Sequence, residues 1–150
     1  MEAEYELQIH KVLAAGIQPV YFDSHHHSHE LPGVFDIFLK MADKYQITKI
    51  RTHNASLLAQ KNTDVNIAPY FEDGFYGDGA NFEHLKHLIT QFKGDSIEFM
   101  THPAYLDATI YRLSSYNIPR MFELEILTGE ELNDFIAQHD EYQIASYRDL

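Results

Sequence analysis

The sequence contains no cysteine, so it can form neither disulfide bonds nor thiolate metal sites. This absence is consistent with a reducing compartment. No apolar run reaches the ~18 residues that a membrane-spanning helix needs. Residues 1–4 are largely acidic and lack the basic-then-apolar order of a secretory signal peptide. Together these absences predict a cytoplasmic protein with no membrane partner.

Basic residues are scarce as well. Lysine and arginine total 11 against 23 aspartates and glutamates, which gives a formal net charge of −12. A polyanion would be repelled by such a surface, because the few basic residues are scattered rather than concentrated in a patch. The charge balance therefore predicts no nucleic-acid partner. The 150 residues, 45% of them hydrophobic, are enough for one domain with a buried core.

Hydrophobic periodicity divides the sequence into alternating helices and strands. Helical spacing of apolar residues predicts helices over 4–15, 33–45, 54–60, 81–92, 107–115, 119–127 and 129–138. Short apolar runs predict strands near 20–25, 47–52, 96–101 and 142–146. A long, glycine-bearing loop is expected over 62–80.

Three residues mark helix ends. Gly16 stands where a left-handed residue ends the helix over 4–15, and Pro119 suits the first turn of the helix over 119–127. Thr128, followed three residues later by Glu131, has the form of a capping box.

Strands that alternate with helices predict an α/β fold of parallel strands joined by right-handed crossovers. In such folds the chemistry gathers at the carboxyl ends of the strands. Asp23 and His25, Arg51 and His53, and His102 all lie at the carboxyl ends of predicted strands. The sequence therefore places its candidate functional side chains at one edge of a sheet.

The densest group of such side chains is the histidine segment, residues 23–29, which holds four histidines behind an aspartate. In an extended segment Asp23, His25 and His27 share one face. A carboxylate near an imidazole can bind the same metal, orient the ligating ring or take a proton. The alternative is a solvated histidine-rich turn or an adventitious metal site.

Other polar residues have two interpretations each. His102, before Pro103, suits a general acid or a substrate hydrogen-bond donor, and equally a cap for the next helix. Arg51 and Arg120 suit carboxylate binding, although structural ion pairs are the commoner use of arginine. Arg120 has Glu123 and Glu125 on the same predicted helix as candidates for such a pair. Tyr105 suits stacking on a sugar face, and ordinary packing is again the commoner use.

Three stretches carry a resemblance to a known family. Residues 19–29 read P-V-Y-F-D-S-H-H-H-S-H, beside a family pattern of P-T-H-x-D-S-H-H-H-V-H. Residues 98–107 and 119–128 are similar to E-x-M-x-H-P-[AG]-[YF]-x-D and to P-R-x-x-E-L-x-x-L-T. With the ending over 145–150, these stretches resemble the YdjC/ChbG-type carbohydrate deacetylases.

The resemblance implies a distorted βα barrel that removes N-acetyl groups from chito-oligosaccharides or related sugars. It implies a divalent metal, Mg²⁺ in most members and Zn²⁺ in some, held by one aspartate and two histidines. Carried over, His25 is a metal ligand, with His27 as the alternative. Asp23 and His102 would be catalytic, and these residues should converge on one concave face with Arg120. Substrate contacts are then expected from Arg120, Tyr105 and Arg51.

The sequence departs from this family in one respect. It has neither the Asp-Asp-Phe-Gly nor the Gly-x-His motif that supplies the other two ligands. The chain is therefore expected to be the C-terminal portion of a single deacetylase domain that lacks about 100 residues, judged by typical βα units. It should form homo-oligomers or pair with the missing N-terminal part. The alternative function is a non-catalytic binding or assembly module that keeps the scaffold.

Overall fold

The computed structural model describes residues 1–53, 55–59, 61, 63–67 and 70–150. The chain forms two compact units. Unit 1 comprises Met1–Ala68 together with Ala145–Leu150, and unit 2 comprises Pro69–Ile144. Within the described residues, no helix is both long and apolar enough to cross a membrane.

Unit 1 is a parallel sheet flanked by helices. Its three strands, β1 to β3, pair in chain order, with Tyr21 opposite Lys49 and Ile50 opposite Ile67. The elements in order are α1 (Glu2–Ala14), β1 (Tyr21–Phe22), a 3-10 segment (His25–Glu30), α2 (Phe35–Lys44), β2 (Lys49–Ile50), α3 (Ala55–Ala59) and β3 (Asn66–Ile67).

The core of unit 1 lies between α2 and the sheet. Phe38, Met41 and Ala42 occupy one face of α2 at helical spacing and are completely buried with Ile50 of β2. The ring of Phe22 stacks on Phe38 with centroids 4.1 Å apart. Burying a side chain of this size contributes about 1.5–3 kcal/mol, so this face accounts for much of the stability of unit 1.

Unit 2 has its own sheet and its own core. Its two strands, β4 and β5, are parallel, with Phe71 opposite Glu98. Phe75, Leu85, Leu132 and Phe135 form the buried core. The elements in order are β4 (Tyr70–Glu72), a 3-10 turn (Gly77–Gly79), α4 (Phe82–Gln91), β5 (Ile97–Phe99), α5 (Ala108–Leu113), α6 (Pro119–Thr128) and α7 (Glu130–Ala137).

Most predicted elements are confirmed, and the α/β class with parallel strands is confirmed. The predicted helix over 54–60 is present as Ala55–Ala59, its two end residues lying outside the described residues. The expected loop over 62–80 instead contains β3 and β4. Both strands are short and interrupted by polar residues, which hides the alternation by which strands are recognised.

The strand expected over 142–146 is wrong, because this segment is irregular. Tyr142 packs on the ring of Phe135 with centroids 5.7 Å apart. Ser146 closes a turn with Asp149, whose side chain accepts its backbone N–H at 2.8 Å. Packing of Tyr142 at one end and hydrogen bonds in the turn at the other hold the segment in place without a strand partner.

The last residues of the chain return to unit 1. The ring of Tyr147 stacks on Tyr21, with centroids 3.7 Å apart and planes 10° from parallel. Lys49 donates to the Tyr147 carbonyl at 2.8 Å. Arg148 donates to the Gln18 carbonyl at 2.7 Å. Unit 1 is therefore built from two separate stretches of chain.

The expected end of α1 is confirmed. Gly16 has φ +77°, its N–H donates to Leu13, and Ile17 donates to Val12 at 3.3 Å, which is a Schellman motif. Pro119 lies in the first turn of α6, as expected.

Helix α2 ends in the same way, with Gln46 in the left-handed position at φ +57°. Ile47 donates to Ala42 at 2.8 Å, and the Ile47 side chain is buried. The sequence carried no signal for this motif, because glutamine is not a residue that favours it.

The expected capping box is wrong. Thr128 belongs to the end of α6, where its hydroxyl donates to the Leu124 carbonyl at 2.7 Å. Gly129 is the N-cap residue of α7 and offers no side chain to cap it. The hydroxyl group is taken by the preceding helix, so it cannot cap the following one.

The two Schellman motifs give a matched pair of variants. Gly16→Ala should lower the free energy of unfolding by ~1 kcal/mol, because a Cβ at positive φ is strained although no atom lies within 4 Å of it. Gln46→Gly should raise it by a smaller amount, since the removed strain exceeds the added chain entropy. Urea denaturation measures both changes. Equal effects of the same sign would contradict this account.

Candidate functional site

The histidine segment begins where β1 ends, but it is not extended. Ser24 is the last extended residue, and His25–Glu30 is a 3-10 segment. His26 and His27 both have left-handed backbone angles, with φ 53° and 51°. The predicted alternation of Asp23, His25 and His27 on one face is therefore wrong. His27 donates its N–H to the Ser24 carbonyl at 3.1 Å, which turns the chain too early for a strand.

Ser24 and His29 hold this turn together. The His29 ring donates from Nε2 to the Arg51 carbonyl at 2.8 Å, because a carbonyl oxygen only accepts. Nδ1 of the neutral ring is then an acceptor, and Ser24 Oγ donates to it at 2.7 Å. Ser24 Oγ also accepts the His29 backbone N–H at 2.9 Å. The turn after β1 is thereby tied to the end of β2.

His29 is a structural member of the histidine segment. Its side chain is completely buried and stacks on Phe38 with centroids 4.4 Å apart. Burial lowers the pKa of His29, which favours the neutral ring that the hydrogen bonds require. Of the four histidines, this one is accounted for by packing and hydrogen bonding.

Asp23 and Arg51 meet in an ion pair. Arg51 Nη1 lies 2.9 Å from Asp23 Oδ2, with the arginine side chain 17% and the aspartate 38% exposed. The Tyr21 hydroxyl donates to the same carboxylate oxygen at 3.3 Å. The structure brings together the predicted catalytic Asp23 and the predicted substrate-binding Arg51. Their contact is the ion pair that is the commoner use of arginine, and both proposed roles stay predictions.

The other histidines of this region form two pairs of rings. His25 and His26 are exposed, and their rings meet edge to face at 4.2 Å. The His27 ring meets the His53 ring at the same distance. Burial, followed by the charges of His53 and Arg51, lowers the pKa of His27.

Glu30 holds His53 at the end of this group. It accepts the His53 N–H at 2.7 Å and faces His53 Nδ1 at 3.3 Å. Burial raises the pKa of Glu30, but hydrogen bonds from Thr52 and His53 outweigh burial and lower it. Sequence analysis did not single out Glu30, because a lone glutamate after a histidine run carries no pattern.

A metal site was predicted here, with His25 or His27 as a ligand. Among the residues that the structure describes, no three histidine, aspartate or glutamate side chains lie where they can bind one ion together. A divalent ion needs about three protein ligands at a catalytic site. The described residues alone therefore do not fit a complete metal site.

The candidate site of unit 2 surrounds His102, three residues after β5. The carboxylate of Glu123, from α6, is completely buried and accepts the His102 backbone N–H. The other carboxylate oxygen accepts the Tyr116 hydroxyl. Helix α5 is capped by Asp107, whose side chain accepts two N–H groups at 2.8 Å. The alternative that His102 caps the next helix is therefore wrong.

Arg120 supports the same segment. It donates from Nη1 to the His102 carbonyl at 3.0 Å and from Nε to the Tyr116 carbonyl at 2.7 Å. The expected alternative, an ion pair with Glu123 or Glu125, is replaced by these bonds to backbone carbonyls. The substrate role of Arg120 stays a prediction.

Aromatic rings complete the surroundings of His102. Tyr76 and Tyr116 stack in parallel at 4.1 Å, and the His102 ring meets both edge to face, at 5.4 and 5.3 Å. Tyr105, predicted to bind substrate, is 86% exposed. Such exposure excludes a packing role for Tyr105 in unit 2, and its contact with substrate stays a prediction.

The predicted residues thus fall into two groups. Asp23, His25 and Arg51 belong to unit 1, and His102 and Arg120 belong to unit 2. The expectation that they share one concave face stays a prediction. Sequence analysis missed Glu123 as a partner of His102, since its spacing from Arg120 suggested an ion pair on one helix.

The chain matches a known family and several of its members. Residues 1–138 match the family described as YdjC-like protein. Carbohydrate deacetylase 1 of Listeria innocua is 40% identical over 154 aligned residues, covering 100% of this chain and 59% of the relative. The carbohydrate deacetylase of Clostridium beijerinckii is 34% identical over 149 residues, covering 98% and 60%.

A solved structure also matches this chain. A crystal structure from Enterococcus faecalis V583, of a protein described as a cellobiose-phosphate cleavage protein, matches with a TM-score of 0.80 and 27% identity. The match covers 99% of this chain and 59% of that one. The chain therefore spans about three fifths of the length of these relatives.

The hydrogen bonds of Ser24 give a testable expectation. Ser24→Ala should lower the free energy of unfolding by about 1–3 kcal/mol, because it leaves the buried His29 Nδ1 without its donor. Ser28→Ala is the matched control, since Ser28 is exposed and its hydroxyl donates to Ser24 Oγ, at 3.2 Å, rather than to the buried ring. Chemical denaturation compares the two. Equal losses would show that the Ser24–His29 bond does not hold the turn.

Proposed function

Because the chain belongs to the YdjC-like family, we propose that it forms part of a metal-dependent hydrolase that removes N-acetyl groups from acetylated carbohydrates such as chito-oligosaccharides. The observation that carries the proposal is the 40% identity, over the whole chain, to a relative named carbohydrate deacetylase. The D-S-H-H-H and H-P stretches that carry the resemblance hold the residues described above.

The proposed reaction adds water across an amide bond and releases acetate and a free sugar amine. It needs an attacking water, a group that stabilises charge on the carbonyl oxygen, and a proton for the departing nitrogen. His102 is the proposed proton donor, because its imidazole is the titratable group at the carboxyl end of β5. Asp23 is the proposed second catalytic group, held in one orientation by Arg51.

The proposed cofactor is a divalent metal, Mg²⁺ in preference to Zn²⁺, with His25 as a ligand and His27 as the alternative. Such an ion, when bound, activates water and polarises the carbonyl group. Since the described residues do not fit a complete site, further ligands would have to come from outside this set. We propose no step through the metal.

The proposed partner is an acetylated oligosaccharide, contacted by Tyr105, Arg120 and Arg51. The 86% exposure of Tyr105 suits stacking on a sugar ring. Self-association, or pairing with an N-terminal part such as the one that the longer relatives contain, is proposed as well, together with a cytoplasmic location. The excess of acidic residues supports the absence of nucleic acid among the partners.

A second candidate function is a non-catalytic binding or assembly module. The observation that favours it is the lack of any three-residue metal group among the residues that the structure describes. The two candidates differ in one measurable property, which is turnover when the rest of a family member is supplied.

The first expected outcome concerns the chain by itself. It should neither bind Mg²⁺ or Zn²⁺ tightly nor release amine from diacetylchitobiose, because one predicted ligand cannot hold a catalytic ion. Calorimetry and an amine assay measure both properties. Robust turnover by the chain alone that disappears in His25→Ala would contradict the incomplete site and indicate that Asp23 and His27 complete it.

The second expected outcome uses a chimera in which this chain replaces the matching portion of the Listeria innocua relative. The chimera should deacetylate diacetylchitobiose, and His102→Gln should lower its kcat by about 10²–10⁴-fold through loss of the proton donor. His87→Gln is the matched control, since His87 is an exposed histidine on α4. A folded but inactive chimera would favour the non-catalytic module instead.

A further inference from the structure

A closed hydrogen-bond network surrounds the His102 peptide. Glu123 accepts its N–H, and Arg120 donates to its carbonyl at 3.0 Å. Arg120 also donates to the Tyr116 carbonyl at 2.7 Å, and the Tyr116 hydroxyl returns to Glu123. Both polar groups of the His102 backbone are thus held by side chains of one helix, α6.

The donor and acceptor roles in this network are determined. Burial, assisted by the hydrogen bond to Glu123, raises the pKa of Tyr116 to about 12, so the phenol keeps its proton near neutral pH. The phenol oxygen also accepts the Gly77 N–H at 3.1 Å. Tyr116 therefore donates its own proton to Glu123, and the carboxylate accepts on both of its oxygens.

The same carboxylate also faces the His102 ring. Glu123 Oε1 lies 4.0 Å from His102 Nδ1. The ring is bounded by the stacked Tyr76 and Tyr116, which meet it edge to face. Among the described residues, the groups beside His102 include the Tyr76 and Tyr116 rings, the Arg120 guanidinium on the carbonyl side and the buried Glu123 carboxylate.

Packing alone does not explain a carboxylate at this position. A buried carboxylate is costly unless it is hydrogen-bonded, and an apolar side chain of similar volume usually packs as well. Glu123 has no exposed surface, and its carboxylate accepts hydrogen bonds from the His102 N–H and the Tyr116 hydroxyl.

We propose that Glu123 is a positioning residue that fixes the His102 backbone and stabilises the protonated His102 ring, so that the imidazolium is aimed and charged for proton donation. This inference rests on the proposed function, in which His102 protonates the departing sugar amine. It gives Arg120 a part in the same task, since Arg120 holds the other end of the His102 peptide.

The test is an NMR titration of the histidine rings in the 150-residue chain, with His102 assigned by its loss in His102→Gln. Glu123→Gln should lower the pH at which the His102 ring is half protonated by about one unit, because a neutral amide no longer stabilises the imidazolium. The His102 backbone amide signal should move as well. Amide signals elsewhere in unit 2 should stay in place.

Glu125→Gln is the matched control. It removes the same charge from the same helix at an exposed position, so the His102 titration should not change. Equal shifts in both variants would reduce the effect to net charge and overturn the proposal. An unchanged His102 ring in a folded Glu123→Gln variant would overturn it too.

If Glu123→Gln does not fold, Tyr116→Phe tests the inference in its place. It keeps the ring and the carboxylate but removes one hydrogen bond between them, so the His102 ring signals should still move, and unchanged signals would refute the inference. None of these measurements requires turnover. An inactive chimera would therefore count against the proposed function and leave this result intact. An active chimera, together with a His102 titration that Glu123→Gln does not change, would support the proposed function and overturn this inference.

Discussion

The hydrogen bond from the buried His29 ring to the Arg51 carbonyl ties the turn after β1 to the end of β2. Because this bond fixes Arg51, it also fixes the ion pair with Asp23. In unit 2 the segment after a strand is also fixed by a buried side chain, because Glu123 accepts the backbone N–H of His102 beyond β5. In both units a buried polar group determines where the segment beyond a parallel strand lies, and the partly buried candidates Asp23, Arg51 and His102 depend on it.

The sequence predicted the fold class well for a physical reason. Apolar stripes such as Phe38, Met41 and Ala42 of α2 repeat over several turns, so they are visible in the sequence. The two-residue strand β3 and the left-handed Gln46 have no such repeat, because pairing with β2 places the strand and the local hydrogen bonds at the end of α2 place Gln46. The strand expected over 142–146 failed for a related reason, since apolar side chains alone do not supply a pairing partner.

The candidate site was predictable in its members but not in its geometry. Histidines behind a strand mark a functional region, yet the positive φ of His26 and His27 depends on local hydrogen bonds that no periodicity shows. His29 and His25 look alike in the sequence, although one is buried beneath Phe38 and the other is exposed. The pairing of Glu123 with His102 joins residues far apart in the chain, and only the fold reveals it.

The return of residues 145–150 to unit 1 has a consequence for how the chain folds. Tyr147 reaches Tyr21 only after the whole of residues 69–144 has been spanned, which makes this contact one of high sequence separation. The entropy lost on closing a flexible loop grows with its length, and a compact segment spans less distance than an unfolded one. Unit 2 has its own buried core, so its folding shortens the loop that unit 1 must close. The terminal residues are therefore expected to dock late, after the inserted unit has become compact.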